Sequence, residues 1–272
     1  MNMQSKTALI TGASRGIGRA IALKLAQQGI KCLLLVARDQ KRLRELEKEL
    51  AAFGVEVICL TVDLTQPIDV HIAIAKAWRD YGQIHLLINC AGVAYQSSFL
   101  ESQLPQMEEE IALNVMGMYT ITRVVARRMV VYREGTIVNV SSLMGKIAAP
   151  TMSTYSATKF AIVGFTQALR SELAPYNIRV VALLPTLTDT DMTQNLRRFR
   201  GVKPMTPSQV AEALIVGLHR EKAEILVGWQ SHLAVWCQRL TPWLMERILQ
   251  ITSPPRAVSF SQKFPNSGEL GR

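Results

Sequence analysis

Cysteine is scarce in this chain of 272 residues: Cys32, Cys59, Cys90 and Cys237 lie in apolar stretches, with no Cys-x-x-Cys and no Cys/His pairing. That spacing argues against a disulfide framework and leaves free buried thiols, as a reducing compartment such as the cytoplasm keeps them. His71, His85, His219 and His232 are scattered without metal-ligand spacing, so no metal is expected. No uninterrupted apolar run is long enough to span a bilayer, and Met1 to Lys6 leads straight into a strand, so neither a membrane helix nor a secretory leader is expected. Linkers rich in Gly, Ser or Pro are missing before about residue 252, and no internal repeat occurs, which argues for one domain. Acids are also in short supply, with 21 Asp and Glu against 31 Lys and Arg, a net charge of +10. The imbalance is greatest at the start: residues 1 to 50 hold 10 bases and 4 acids, a local +6, while residues 51 to 150 hold 7 and 9. An excess confined to one end suits a phosphate-bearing ligand there and argues against a nucleic-acid surface.

What the chain has in quantity is apolar residues, 49%, arranged in two alternating rhythms. Short runs at Thr7 to Ile10, Cys32 to Val36, Val55 to Val62, His85 to Asn89, Thr136 to Val140, Ile178 to Leu184 and Glu224 to Val227 read as buried strands. Between them lie helical patterns: one from Ile17 closed by Gly29, and one capped by Asp39 with Leu43, Leu46, Leu50 and Phe53 as its core stripe. Further helices are expected over Pro67 to Tyr81, Leu104 to Val131, Ser153 to Leu173 and Pro207 to Arg220. Strand and helix in alternation predict a doubly wound α/β fold, a Rossmann-like parallel sheet in a single domain. Residues 186 to 205, with no clean pattern, are expected to form a lid.

Gly12, Gly16 and Gly18 follow the first strand and open the first helix. Glycines there let the backbone turn tightly and approach a pyrophosphate, whose charge meets the helix amino terminus. A carboxylate at the end of the second strand would select NADH, but the chain has Ala37 followed by Arg38, with Arg15 inside the glycine loop itself. Two guanidinium groups favour the 2′-phosphate of NADPH/NADP+. Asp39, one position later, reads as a helix cap.

Tyr155 and Lys159, four residues apart, share one side of a helix. An ammonium beside a phenol, whose ordinary pKa is about 10, is expected to pull it down toward the range of a general acid and base. Hydride transfer to a carbonyl builds charge on oxygen that Tyr155 can quench with a proton. Ser142, at the end of the fifth strand, can hydrogen-bond the same oxygen, with Ser141 as its competitor.

These motifs together resemble the short-chain dehydrogenase/reductase family, over about Lys6 to Met192. They comprise the loop Thr11 to Gly18, Asn89-Cys90-Ala91-Gly92, Asn114, Ser142, and Tyr155 with Lys159. The resemblance implies catalysis by Asn114, Ser142, Tyr155 and Lys159, with Asn114 holding a water that resupplies protons and Lys159 bonding the nicotinamide ribose. It implies cofactor contacts from Gly12, Ser14, Arg15, Gly16, Ile17, Gly18 and Arg38, then Asp63, Leu64, Asn89, Ala91 and Gly92, and finally Pro185, Thr188 and Thr190. Asp63 would sit against the adenine and Asn89 would brace the central strand, while Pro185 and Thr190 would flank the nicotinamide. Pro185-Thr186 replaces the family's usual Pro-Gly, and Glu224-Ile225-Leu226-Val227-Gly228-Trp229 replaces its usual closing strand.

The catalytic domain therefore spans 1–228, followed by an apolar helical extension at 229–252 and a tail at 253–272 expected to be disordered. The extension reads as two short helices split where Thr241 can cap and Pro242 can start the second. Trp236, Leu240, Trp243, Leu244, Ile248 and Leu249 would pack on the domain first of all. A dimer contact or a lipophilic pocket wall is the next reading, and shallow docking on a membrane the third. The reading is an NADPH-dependent reductase of a lipophilic carbonyl substrate, working as a homo-dimer or tetramer without nucleic acid. A 3-oxoacyl thioester reductase is the alternative, and a non-catalytic NADPH-binding module the alternative from another class.

Overall fold

Every residue of β1 (Thr7–Thr11) is buried, and the pleat sends alternate side chains to opposite faces. Ala8 and Ile10 enter one apolar layer and Leu9 the other. The computed structural model describes residues 3–254. Its chain continues through α1 (Gly16–Gln27), β2 (Cys32–Ala37), α2 (Gln40–Leu50), β3 (Glu56–Thr61), α3 (Pro67–Tyr81) and β4 (Leu86–Asn89). Next come α4 (Leu104–Ile111), α5 (Met118–Tyr132), β5 (Gly135–Val140), α6 (Ser153–Leu173) and β6 (Ile178–Leu184). After these lie α7 (Asp191–Gln194), α8 (Pro207–His219), β7 (Glu224–Leu226), α9 (Trp229–Leu240) and α10 (Pro242–Thr252). The seven strands form one sheet in the order β3-β2-β1-β4-β5-β6-β7, with every neighbouring pair parallel.

Helices cover both faces, as parallel strands with crossover connections require. On one side α1, α2 and α8 contribute Leu25, Leu46 and Leu214; on the other α3 and α5 contribute Ile74 and Val125. This is a Rossmann-like single-domain α/β fold. Its strand order reverses between β1 and β4, and a crevice at such a switch point, outside the carboxyl ends of the strands, is where ligands bind.

Three local expectations are corrected. Phe53 is 43% exposed, because α2 ends at Leu50 and the tighter 3₁₀ turn Ala51–Phe53 rotates it off the core stripe. The helix expected as continuous from Leu104 to Val131 is interrupted by a π-helical turn, Ala112–Gly117. Thr241 stands at the N-cap position of α10 ahead of Pro242, but its side chain does not cap the helix; its hydroxyl donates to the Cys237 carbonyl at 3.1 Å. Within 186–205 the chain forms the short helix α7 and a bridge between Thr188 and Met205. The tail expected to be disordered lies outside the described residues except for Ser253, whose N–H bonds the Leu249 carbonyl, and Pro254, which is buried.

Candidate active site

The glycine loop is built by close approach. Gly12 and Gly16 have φ of +65° and +56°, which L side chains seldom adopt. A Cβ on Gly12 would lie 2.8 Å from the Ala91 Cα, and one on Gly18 only 2.3 Å from the Gly12 carbonyl oxygen. Thr11 fixes the spacing between the two loops, its hydroxyl accepting from the Cys90 and Ala91 N–H groups at 3.0 and 3.1 Å. Ser14 is half-buried in the same turn, and Ile17 packs on the core. Arg15 precedes α1 without capping it by its side chain, and the first turn of α1 holds no acid.

On the β4 side, Asn89 is buried and donates to the Thr122 hydroxyl and the Asn139 side-chain oxygen, both at 2.8 Å. Asn139 passes the brace to Thr166 on α6 at 2.9 Å. Asp63 accepts from the backbone and hydroxyl of Thr65, both at 2.9 Å. Leu64 is buried against Gly117 of the π turn.

That turn carries Asn114, whose side chain pairs with both backbone groups of Val93 at 2.9 Å and donates to Thr158 at 3.2 Å. A Cβ on Gly92 would meet the Asn114 oxygen at 3.0 Å and the Lys159 ammonium at 3.7 Å, so Gly92 separates the two. π-helical turns inside α-helices are frequent at functional sites.

Lys159 is 5% exposed and donates to the Val140 carbonyl at 3.2 Å. Burial lowers its pKa to about 8, with Cys90 and Glu110 working against the fall. Its nitrogen lies 5.4 Å from the centroid of the Tyr155 ring. The expected acidification of the phenol is not found. Burial holds the Tyr155 pKa above its ordinary value, although the neighbouring Ser142 hydroxyl pulls it down. Desolvation of the phenolate is the larger effect, and the ammonium lies over the ring, away from the position that would favour the anion.

Ser142 accepts from the Met144 N–H at 3.1 Å at the head of a 3₁₀ turn, Leu143–Gly145. Ser141 is buried and donates to the Lys159 carbonyl at 2.8 Å, tying β5 to α6. Pro185 follows β6, its carbonyl accepting from Leu143 at 2.8 Å. Thr188 is buried and donates to the Thr186 carbonyl at 3.0 Å. Thr190 bends back over the glycine loop, its methyl 3.1 Å from where a Gly16 Cβ would stand.

Two features had no sequence signal. Asp191, beside Thr190, accepts from Arg42 at 2.7 Å and lies 3.7 Å from Arg15. Asp39, read as a cap from the sequence, caps α2 through the Arg42 N–H at 3.0 Å. Arg38 is exposed, 3.9 Å from Glu109. Glu110 is 2% exposed, accepts from the Tyr95 N–H at 2.7 Å, and has its pKa raised by burial. It lies one helical turn before Asn114, where an acid in a run of three glutamates reads as solvated.

The "short chain dehydrogenase" family pattern matches residues 6–201. The chain belongs to the short-chain dehydrogenase/reductase family. It is 32% identical over 243 residues to the "3-oxoacyl-[acyl-carrier-protein] reductase FabG" of Aquifex aeolicus, covering 86% of this chain and 97% of that one. Two solved short-chain dehydrogenases share the architecture. One from Sphingobium yanoikuyae, in complex with NADPH, has a TM-score of 0.76 and 33% identity, covering 93% of this chain and 97% of its own. One from Burkholderia phymatum, in complex with NAD, has a TM-score of 0.81 and 26% identity, covering 90% of this chain and 96% of its own. As a short-chain dehydrogenase/reductase, the chain is an oxidoreductase. No helix among the described residues is long and apolar enough to cross a membrane.

Proposed function

We propose that this oxidoreductase reduces a ketone or oxoacyl group on a lipophilic molecule to a secondary alcohol, with NADPH as reductant. The observation that carries the reading is the convergence of Ser142, Tyr155 and Lys159 beside the Asn114 turn, at the switch point of the sheet and next to the glycine loop. Residue types and backbone suit a dinucleotide: the loop leaves no room for a Cβ at Gly12 or Gly18, and Arg15, Arg38 and Arg42 supply cations for a 2′-phosphate. Reduced nicotinamide, when bound, supplies the hydride.

The remaining steps belong to the protein. Because burial keeps Tyr155 protonated near neutral pH, the phenol is in the form that can donate to the developing alkoxide. Ser142 donates to the same oxygen and orients it. Lys159, its pKa near 8, is mostly an ammonium at pH 7. There it is the proton reserve that, with Asn114, resupplies the phenolate left behind. Residues 186–205 act as a lid, a role supported by Thr190 over Gly16 and by Asp191 paired with Arg42 and Arg15.

A 3-oxoacyl thioester is the second substrate reading, favoured by the likeness to the Aquifex aeolicus protein. The test is NADPH oxidation followed against bulky ketones, 3-oxoacyl thioesters and small polar ketones. Faster turnover of the small polar set would overturn the lipophilic assignment. No NADPH oxidation with any of them would favour a binding module without turnover.

Glu110 should shape the pH profile. Its carboxylate raises the Lys159 pKa, so Glu110→Gln removes a group that holds the ammonium proton. The alkaline limb of kcat/KM is therefore expected to move to lower pH, while the acid limb stays in place. An alkaline limb that does not move would exclude this coupling.

A further inference from the structure

The apolar stripe of the carboxyl-terminal helices divides in two. Val235 and Met245 turn inward, with Leu249 beside them, onto Leu143 and Ile147 just beyond Ser142. The larger side chains turn outward. Trp229, Leu233, Trp236 and Leu240 share one face of α9 and are 63–73% exposed. Trp243, Ile248 and Ile251 carry exposed apolar surface along α10. Three of the four tryptophans in the chain therefore face solvent, whereas Trp78 is buried. An exposed apolar face such as that of α9 marks an interaction surface.

Its surrounding charge decides between occupants. Arg239 and Arg247 lie on the two helices, whose only acid is Glu246. Arg200, in the basic run Arg197-Arg198-Phe199-Arg200, is tied to α10 by its N–H, which donates to the Thr252 carbonyl at 2.9 Å. Among the described residues, Arg200, Lys203, Arg239 and Arg247 form no ion pair. A second copy of this face would set like charges against each other. An anionic lipid surface neutralises them and takes tryptophan rings at its headgroup boundary. Helices of 12 and 11 residues are too short to cross a bilayer and suit lying along it.

We propose that α9 and α10 dock the protein on the surface of an anionic lipid bilayer, with Trp229, Trp236 and Trp243 inserted at the headgroup level and the neighbouring arginines on the lipid phosphates. The docking does not depend on the carbonyl chemistry, and its test reads binding alone. The full chain is mixed with vesicles of phosphatidylglycerol and phosphatidylcholine, or of phosphatidylcholine alone, and followed by co-sedimentation and tryptophan emission. Sedimentation with the anionic vesicles and a blue-shifted emission are expected. Binding should be at least about tenfold weaker on the neutral vesicles, which lack the counter-charge. A similar or larger loss is expected for the doubly substituted Trp236→Ser, Trp243→Ser protein, which has less apolar area to bury. Both side chains are exposed, so that variant should keep the melting transition of the parent. Wild-type protein left in the supernatant, equal binding to both vesicles, or undiminished binding by the variant would overturn the proposal. So would a wild-type dimer that ignores vesicles and becomes a monomer in the variant, which would assign the face to a second copy.

Discussion

Tyr155→Phe is expected to lower turnover by roughly 10³-fold, within the 10²–10⁴ range of a positioned general acid, while NADPH binds as tightly as before. The substitution removes one oxygen from a half-buried side chain and keeps the ring over which Lys159 sits. Loss in kcat with an unchanged dissociation constant for NADPH, read by steady-state kinetics and fluorescence titration, separates proton donation from cofactor binding. A variant within tenfold of wild type would remove the phenol from the chemistry. The high pKa of the phenol strengthens this expectation for the reductive direction, since a group that stays protonated can donate at every physiological pH. In the reverse direction the same pKa is a handicap, and oxidation of an alcohol should be favoured by alkaline conditions.

Replacing Arg15 and Arg38 by Gln should weaken NADPH binding by roughly 100-fold or more and leave NADH nearly untouched. Each charge-assisted bond to phosphate is worth about 1.5–3 kcal/mol, and a factor of ten in affinity takes about 1.4 kcal/mol. Parallel titrations with the two cofactors measure the difference directly, and equal losses for NADH and NADPH would rule out recognition of the 2′-phosphate. Arg42→Gln should act in the same direction. Asp191→Asn should act oppositely and only slightly, because the pairs that Asp191 makes with Arg42 and Arg15 are about half exposed and such pairs contribute little.

Much of the fold could be read from the chain because its signals are local. Apolar runs such as Cys32 to Val36 have the length and flanks of buried strands, and three glycines after the first of them mark a loop with no room for side chains. Tyr155 and Lys159 are four residues apart on α6, so helical geometry alone brings them together. Phe53 and the π turn were not legible, because both arise where one helix hands over to another conformation and the apolar spacing continues past the break. Arg42 and Asp191 are 149 residues apart, and no local pattern relates a charged helix to a segment beyond β6. The direction of the Tyr155 shift was missed for a similar reason. Sequence shows the nearby ammonium but not the depth of burial, which outweighs it.

Order along the chain was enough to read the parallel α/β architecture and the family, since each rests on residue types at short, regular spacings. Only the packed molecule decided that burial raises the pKa of the phenol, that Glu110 is buried where its charge acts on Lys159, and that the tryptophans of the last two helices are left exposed. An amphipathic stripe records that one side of a helix is apolar. Which side is covered, and how far a charge is removed from water, depends on elements brought together from distant parts of the chain.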